Sequence, residues 1–238
     1  MPKVDTGNFS FSGHETFSFR FAWLKKGYDA LLEDYNVFSR DEAVAILGVG
    51  KNMVRSIKHW GYATGIFQDS DKGESRLQSV EPTELGHKIF SESGLDPYLE
   101  NPNTLWLLHW KLVSNPDSST SWYWVFNEWN KHNFSEKVVL SDLTDWVRKV
   151  GHNRVPSENT LKRDLNCLIR TYIPARRSRN ALLEDTLDCP LIDLELMSEI
   201  DSINHVYQLR IGPKPTLSKE FFVYAMLKFW EEFAPEVS

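Results

Sequence analysis

The side chains that could do chemistry in this 238-residue chain fall into two acidic groups and two basic ones. The first acidic group lies in Phe11-Ser-Gly-His-Glu-Thr-Phe17, where Gly13 frees the backbone just ahead of His14 and Glu15. An adjacent His and Glu can bind a metal or move protons. They can equally form a structural cap, with Glu15 at a helix N-terminus, where the dipole favours negative charge, and His14 hydrogen-bonded nearby. Arg20 could stabilise a phosphate or pair with Glu15 one turn back. The second acidic group is Glu184, Asp185 and Asp188, spaced to share a hard cation such as magnesium. A solvated acidic surface, or a partner for the basic segment before it, is the plainer reading. Lys214 is a further candidate for charge on a phosphate.

The basic groups point to nucleic acid. Lys51, Asn52, Arg55 and Lys58 recur along one side of a short segment. Asn can pair bidentately with adenine, and Arg with guanine or phosphate. From Arg148 to Arg179 there are nine Lys or Arg and two acids, a local excess of seven positive charges. Lys162, Arg163, Arg176, Arg177 and Arg179 are its candidate phosphate contacts, and binding through them should weaken steeply with salt. The whole chain carries a net charge of −6, so any nucleic-acid site must be a local patch.

These side chains need elements to position them. Residues Ser39 to Phe67 read as helix, tight turn and helix. Ser39 and Glu42 fit a capping box, Ala43, Ile46 and Leu47 an apolar face, Gly48 a helix stop and Val49 a buried pin. The second helix sends Met53, Val54, Ile57 and Trp60 inward and its cations outward, as a recognition helix does. An ordinary helical hairpin with a solvated charged face is the alternative. Strands near Gly65–Phe67 and Arg76–Glu81 would add a wing with Lys72 and Arg76 as contacts, opposed by Asp69, Asp71 and Glu74.

Ahead of this unit, Arg20 to Tyr35 fits a helix with Phe21, Leu24, Tyr28, Leu31 and Leu32 on one face. Behind it, Asn101 to Asn115 reads as a helix buried all round, with His109 a core histidine. Residues Ser118 to His132 read as an aromatic helix whose Trp122, Tyr123, Phe126 and Trp129 suit a core better than stacked bases. A second helix-turn-helix is expected from Ser141–Val150 and Ser157–Tyr172. His205 to Ile211 alternates like a strand. Leu217 to Phe233 closes the chain as a helix with Phe221, Tyr224, Leu227 and Trp230 inward. The expected fold is mainly α: two winged-helix or helix-turn-helix-like units joined by an aromatic helical layer, with small β-hairpin wings. The units are residues 1–94, DNA-binding, and 95–238, helical.

The two cysteines, Cys167 and Cys189, are too few for a multi-ligand zinc site and suit a reducing, cytoplasmic setting. No run of about 18 apolar residues suggests a membrane span, and no secretory leader pattern is seen.

Six segments in order carry a resemblance: FSGHETFSFRFAWLKKGYDA, LGVGKNMVRSIKHW, DPYLENPNTLWLLHWKL, SWYWVFN, EDTLDCPL and GPKPTLSKEFFVYAMLKFW. Together they resemble the bacterial family catalogued as domain of unknown function 4007, from about Phe11 to Trp230. Members of that family occur in DNA phosphorothioation and phage-defence clusters. One is a DNA-nicking component beside a cysteine desulfurase, an ATPase and an ATP-pyrophosphatase-type sulfur-transfer enzyme. The resemblance therefore implies a cytoplasmic protein that binds double-stranded DNA and nicks one strand so that sulfur can be inserted. Its partners would be the sulfur-transfer and ATPase subunits. Nicking needs a nucleophilic water and charge stabilisation, which magnesium or manganese held by carboxylates supplies. His14, Glu15 and Arg20, or Glu184, Asp185 and Asp188, would form that centre. A non-catalytic recognition module that recruits modification enzymes is the alternative. A scaffold docking an acidic partner through Arg176–Arg179 is a third reading. A homodimer is compatible with all three.

Overall fold

The computed structural model describes residues 9–74, 76–150, 155–174 and 189–233. It is mostly helical, with two small antiparallel sheets. Helix α1 (Phe21–Glu33) buries Trp23, Leu24, Gly27, Tyr28 and Leu31. Phe21 and Leu32, expected on that face, are 41% and 52% exposed. The buried stripe runs through Trp23 and Gly27, and both residues fall past its opposite edge.

A 3-10 turn (Val37–Ser39) leads into the short helix α2 (Ala43–Leu47). The expected capping box is absent. Ser39 sits in the turn, and its hydroxyl donates to the Gln78 carbonyl at 2.8 Å. Ile46 is exposed, because so short a helix buries only Ala43 and Leu47. Gly48 ends α2 at φ +60°, a conformation that costs glycine no Cβ clash. Val49 packs on Ala43, Leu47 and Val54 as the pin. Helix α3 (Lys51–Ala63) follows and buries Val54, Ile57 and Trp60.

Strands β1 (Phe67–Asp69) and β2 (Val80–Pro82) pair antiparallel, with Phe67 opposite Pro82. Phe67 is the plug between α1 and α3. A Cβ at Gly61 would lie 1.8 Å from its ring and one at Gly27 2.8 Å, so two glycines notch the helices to receive it. Burial of such a ring stabilises by about 1.5–3 kcal/mol. Helix α4 (Glu84–Phe90) is capped by the Thr83 hydroxyl, which accepts from Gly86 N–H at 3.1 Å.

Helix α5 (Pro102–Val113), capped by Asn101, is apolar nearly all round. His109 is a core histidine as expected: its Nδ1 lies 2.9 Å from the Tyr172 hydroxyl, and burial pushes its pKa down to about 3. The expected aromatic helix is shorter, α6 (Thr120–Tyr123) running into a π-helical turn (Trp124–Glu128). Trp129 ends it by folding back to stack on Trp124. Trp122, Tyr123 and Trp124 are buried.

Strand β3 (Asn133–Ser135) runs straight into α7 (Glu136–Val150), so that helix begins ahead of the expected Ser141 cap. Helix α8 (Glu158–Tyr172) packs on α7 and is capped by Ser157, whose hydroxyl accepts from Thr160 N–H at 3.1 Å. A 3-10 turn (Pro190–Leu194) precedes β4 (Met197–Asp201) and β5 (Val206–Leu209). The sheet order is β3-β5-β4. Of these three strands only β5 shows its alternation in the sequence. Cys167 and Cys189 are both buried, and neither is in a disulfide.

Helix α9 (Lys219–Phe233) departs most from expectation. Tyr224, Leu227 and Trp230, expected inward, are 44%, 60% and 50% exposed. Helix α5 covers only the face carrying Phe221, through Trp110. Elsewhere one apolar cluster continues from Phe19 to Tyr207, shared by residues on both sides of position 94.

Candidate nucleic-acid interface

The segment Ser10–Phe17 ties α3 to α8. Ser10 N–H donates to Thr120 Oγ1 at 2.9 Å, and Ser12 N–H to Asp164 Oδ1 at 2.6 Å. His14 Nδ1 accepts the Thr16 N–H at 3.0 Å, which places the ring proton on Nε2. That Nε2–H donates to the same Asp164 oxygen at 2.8 Å. The Arg170 guanidinium donates to the Thr16 carbonyl.

These bonds hold a strained backbone. Ser12, Glu15 and Thr16 have φ of +64°, +50° and +70°. Each such residue costs on the order of 1–3 kcal/mol, which persists only where surroundings fix it. The outcome is that Glu15 points at α3, with Oε1 3.3 Å from Arg55 Nη1.

His14 itself is 1% exposed, packed among the rings of His59, Trp60 and Trp122. Both its nitrogens are engaged, so it positions the loop. Burial pushes His59 down to about 4 and keeps it neutral. His59 Nε2, Trp122 Nε1 and Asp164 Oδ2 are buried without a protein partner. Arg20 lies over the Phe17 and Trp23 rings, 5.8 and 5.1 Å from their centroids.

Two cationic clefts flank the loop. Gly13 lines one of about 370 Å³ with Arg55, Lys58, His59, Tyr62 and Gln78. Lys58 Nζ donates to Gln78 Oε1 at 2.6 Å, and burial pushes its pKa down. Thr16 lines the other, about 440 Å³, with Arg163, Asn166, Arg170, Glu136 and Tyr207. Lys51, Asn52 and Arg55 are exposed on α3, and Lys162 and Arg163 on α8. The fold therefore brings Arg55 and Lys58 of α3 and Arg163 and Arg170 of α8 to either end of one pinned loop. Lys214 is elsewhere, donating to the Arg210 carbonyl.

Arg176, Arg177, Arg179, Glu184, Asp185 and Asp188 lie outside the described residues. Among the described residues no three His, Cys, Asp or Glu side chains converge to hold a metal. His14 is committed to Asp164 and Thr16, and Glu15 to Arg55. Both His14 nitrogens are thus engaged and offer no lone pair to a cation in this arrangement, while Glu15 faces Arg55.

Asp164, Arg170 and His59 were not singled out from sequence. Asp164 did carry a signal: it interrupts the inward stripe of Leu161, Leu165 and Leu168. A buried carboxylate on such a stripe needs a partner.

Residues 11–237 match the family described as Protein of unknown function (DUF4007). Comparison with curated proteins gives no match. Two solved structures, SspB and magnesium ion-bound SspB, are similar at a TM-score of 0.83 and 32% identity. Each covers 92% of this chain, which spans 65% of the length of theirs. Among the described residues no helix is long and apolar enough to cross a membrane. With nearly its whole length matched, the chain belongs to the DUF4007 family.

Proposed function

We propose that this protein is the DNA-binding component of a DNA phosphorothioation system. The observation that carries the reading is the Ser12–Thr16 loop, pinned to Asp164, with Arg55 at one end and Arg163 and Arg170 at the other. Helices α2 and α3 with the β1–β2 hairpin are read as a winged helix, α3 being the recognition helix. Lys51, Asn52 and Arg55 then face base edges or phosphates. Lys162, Arg163 and Arg170 take the backbone of the same duplex. Likeness to SspB supports the system, in which sulfur-transfer and ATPase subunits are the cytoplasmic partners. The test is duplex binding by fluorescence anisotropy across a salt series. Affinity should fall steeply with salt. No binding at low salt contradicts the proposal.

Strand nicking is the second reading, favoured by the magnesium bound to one solved SspB. Supercoiled plasmid with magnesium or manganese, against a chelator control, decides it. Metal-dependent open circles support a nickase. A plasmid that stays supercoiled while gel shifts show binding supports a recognition module that recruits the chemistry.

A further inference from the structure

The cleft beside Thr16 holds a carboxylate as well as its cations. Arg163, Asn166 and Arg170 recur at i, i+3 and i+7, so α8 turns one polar stripe into it, with the two arginines about 10 Å apart along the helix axis. Glu136, in the first turn of α7, lines the same cleft. The Tyr207 hydroxyl donates to Glu136 Oε1 at 3.2 Å, and the Tyr207 ring packs on Phe134 with centroids 5.8 Å apart, so the carboxylate is held in place. Arg170 is held as well. Its guanidinium donates to the Thr16 carbonyl and, at 3.3 Å, to the Asn166 carbonyl.

A continuous run of phosphates through this cleft would be repelled by Glu136. A nucleobase would not. An exocyclic amine donates to a carboxylate, and an Asn amide pairs bidentately with adenine. The arginines at the two ends suit the phosphates on either side of such a base.

Size agrees. At about 440 Å³ the cleft falls among small-ligand sites, which run from about 300 to 1,000 Å³. A duplex, whose major groove alone is about 12 Å wide, does not enter it, whereas one base does once it leaves the stack. Ile169 and Tyr207 give that base an apolar surface.

Given the DNA binding proposed for this protein, we infer that the cleft takes one unpaired nucleotide of the bound strand, with the base's amino group on Glu136 and its flanking phosphates on Arg163 and Arg170. The site then prefers some bases to others. Adenine, cytosine and guanine each carry an exocyclic amine. Thymine presents only carbonyl oxygens there, and these are repelled by a carboxylate.

Fluorescence anisotropy of the full chain tests this on duplexes that differ only in a single-nucleotide bulge. The adenine, cytosine and guanine bulges should each bind on the order of 10-fold more tightly than the thymine bulge. Glu136→Gln should bring all four to within about 3-fold of one another, because an amide donates to a carbonyl oxygen as readily as it accepts from an amine. The ratio among bulges is the readout, since it cancels any general gain from losing a negative charge. Four equal bulges in the wild type, or a thymine penalty that survives Glu136→Gln, overturn the nucleotide site. The wild-type ratios decide the matter even if the variant does not fold. Salt-dependent binding of the fully paired duplex alongside equal bulges would leave DNA binding standing without this site, and no binding to any duplex would end both.

Discussion

Asp164 joins the two ends of the site through one oxygen, which accepts from both Ser12 N–H and His14 Nε2–H. Asp164→Ala leaves the buried His14 Nε2–H and the half-buried Ser12 N–H unpaired and should destabilise the fold by about 2–5 kcal/mol in urea titrations. Glu15 has the opposite character. Its pair with Arg55 is partly solvated, with side chains 29% and 56% exposed, so it adds only about 0–1 kcal/mol to stability. On the proposed reading its effect falls on binding, since DNA would compete with it for Arg55. Glu15→Gln should leave urea stability nearly unchanged and tighten duplex binding. The gain should vanish in the Arg55→Ala background. Weaker binding by Glu15→Gln would instead make the carboxylate part of the DNA interface. The α3 cations were legible because helix period alone sorts Lys51, Asn52 and Arg55 from Val54 and Ile57. The partner of His14 was not, because 150 residues separate it from Asp164.

At the scale of elements, α1 and α3 are held at a fixed separation by Phe67. Gly61→Ala forces a Cβ into that ring and should cost about 1–3 kcal/mol, or more if the ring cannot move. Thermal melting measures it, and an unchanged Tm would mean β1 yields freely. Helices α3 and α8 followed from periodicity, α8 also from its Ser157 cap, and α5 from an apolar run nearly all round. The short strands β3 and β4 did not, because each is defined by its pairing to β5 rather than by its own pattern. Helix α9 failed in a different way. An apolar stripe shows that something will cover a face, and nothing in a single chain says whether that is its own core.

Across the whole molecule, desolvation holds His59 and His109 neutral, and both contribute to the acid response. Burial holds His59 at about 4 and His109 at about 3, below the ordinary value near 6.5. Between those limits the unfolded chain binds protons that the folded chain does not, so stability rises with pH there and falls on acidification. Each histidine should cost about 1.4 kcal/mol for one pH unit below 6.5. Urea midpoints at pH 7.5 and 5.5 test this, in a range where ordinary carboxylates stay ionised. Equal midpoints would mean that both rings gain solvent.

The same molecule is acidic overall, so the DNA binding proposed for it must come from one surface. The most direct measurement is the slope of log binding constant against log salt for wild-type protein and the Arg55→Ala, Arg163→Ala double variant. With both arginines on phosphates, the slope should become shallower by about 1.8, near 0.9 for each phosphate that is no longer neutralised. An unchanged slope would show that DNA, if bound at all, is bound elsewhere.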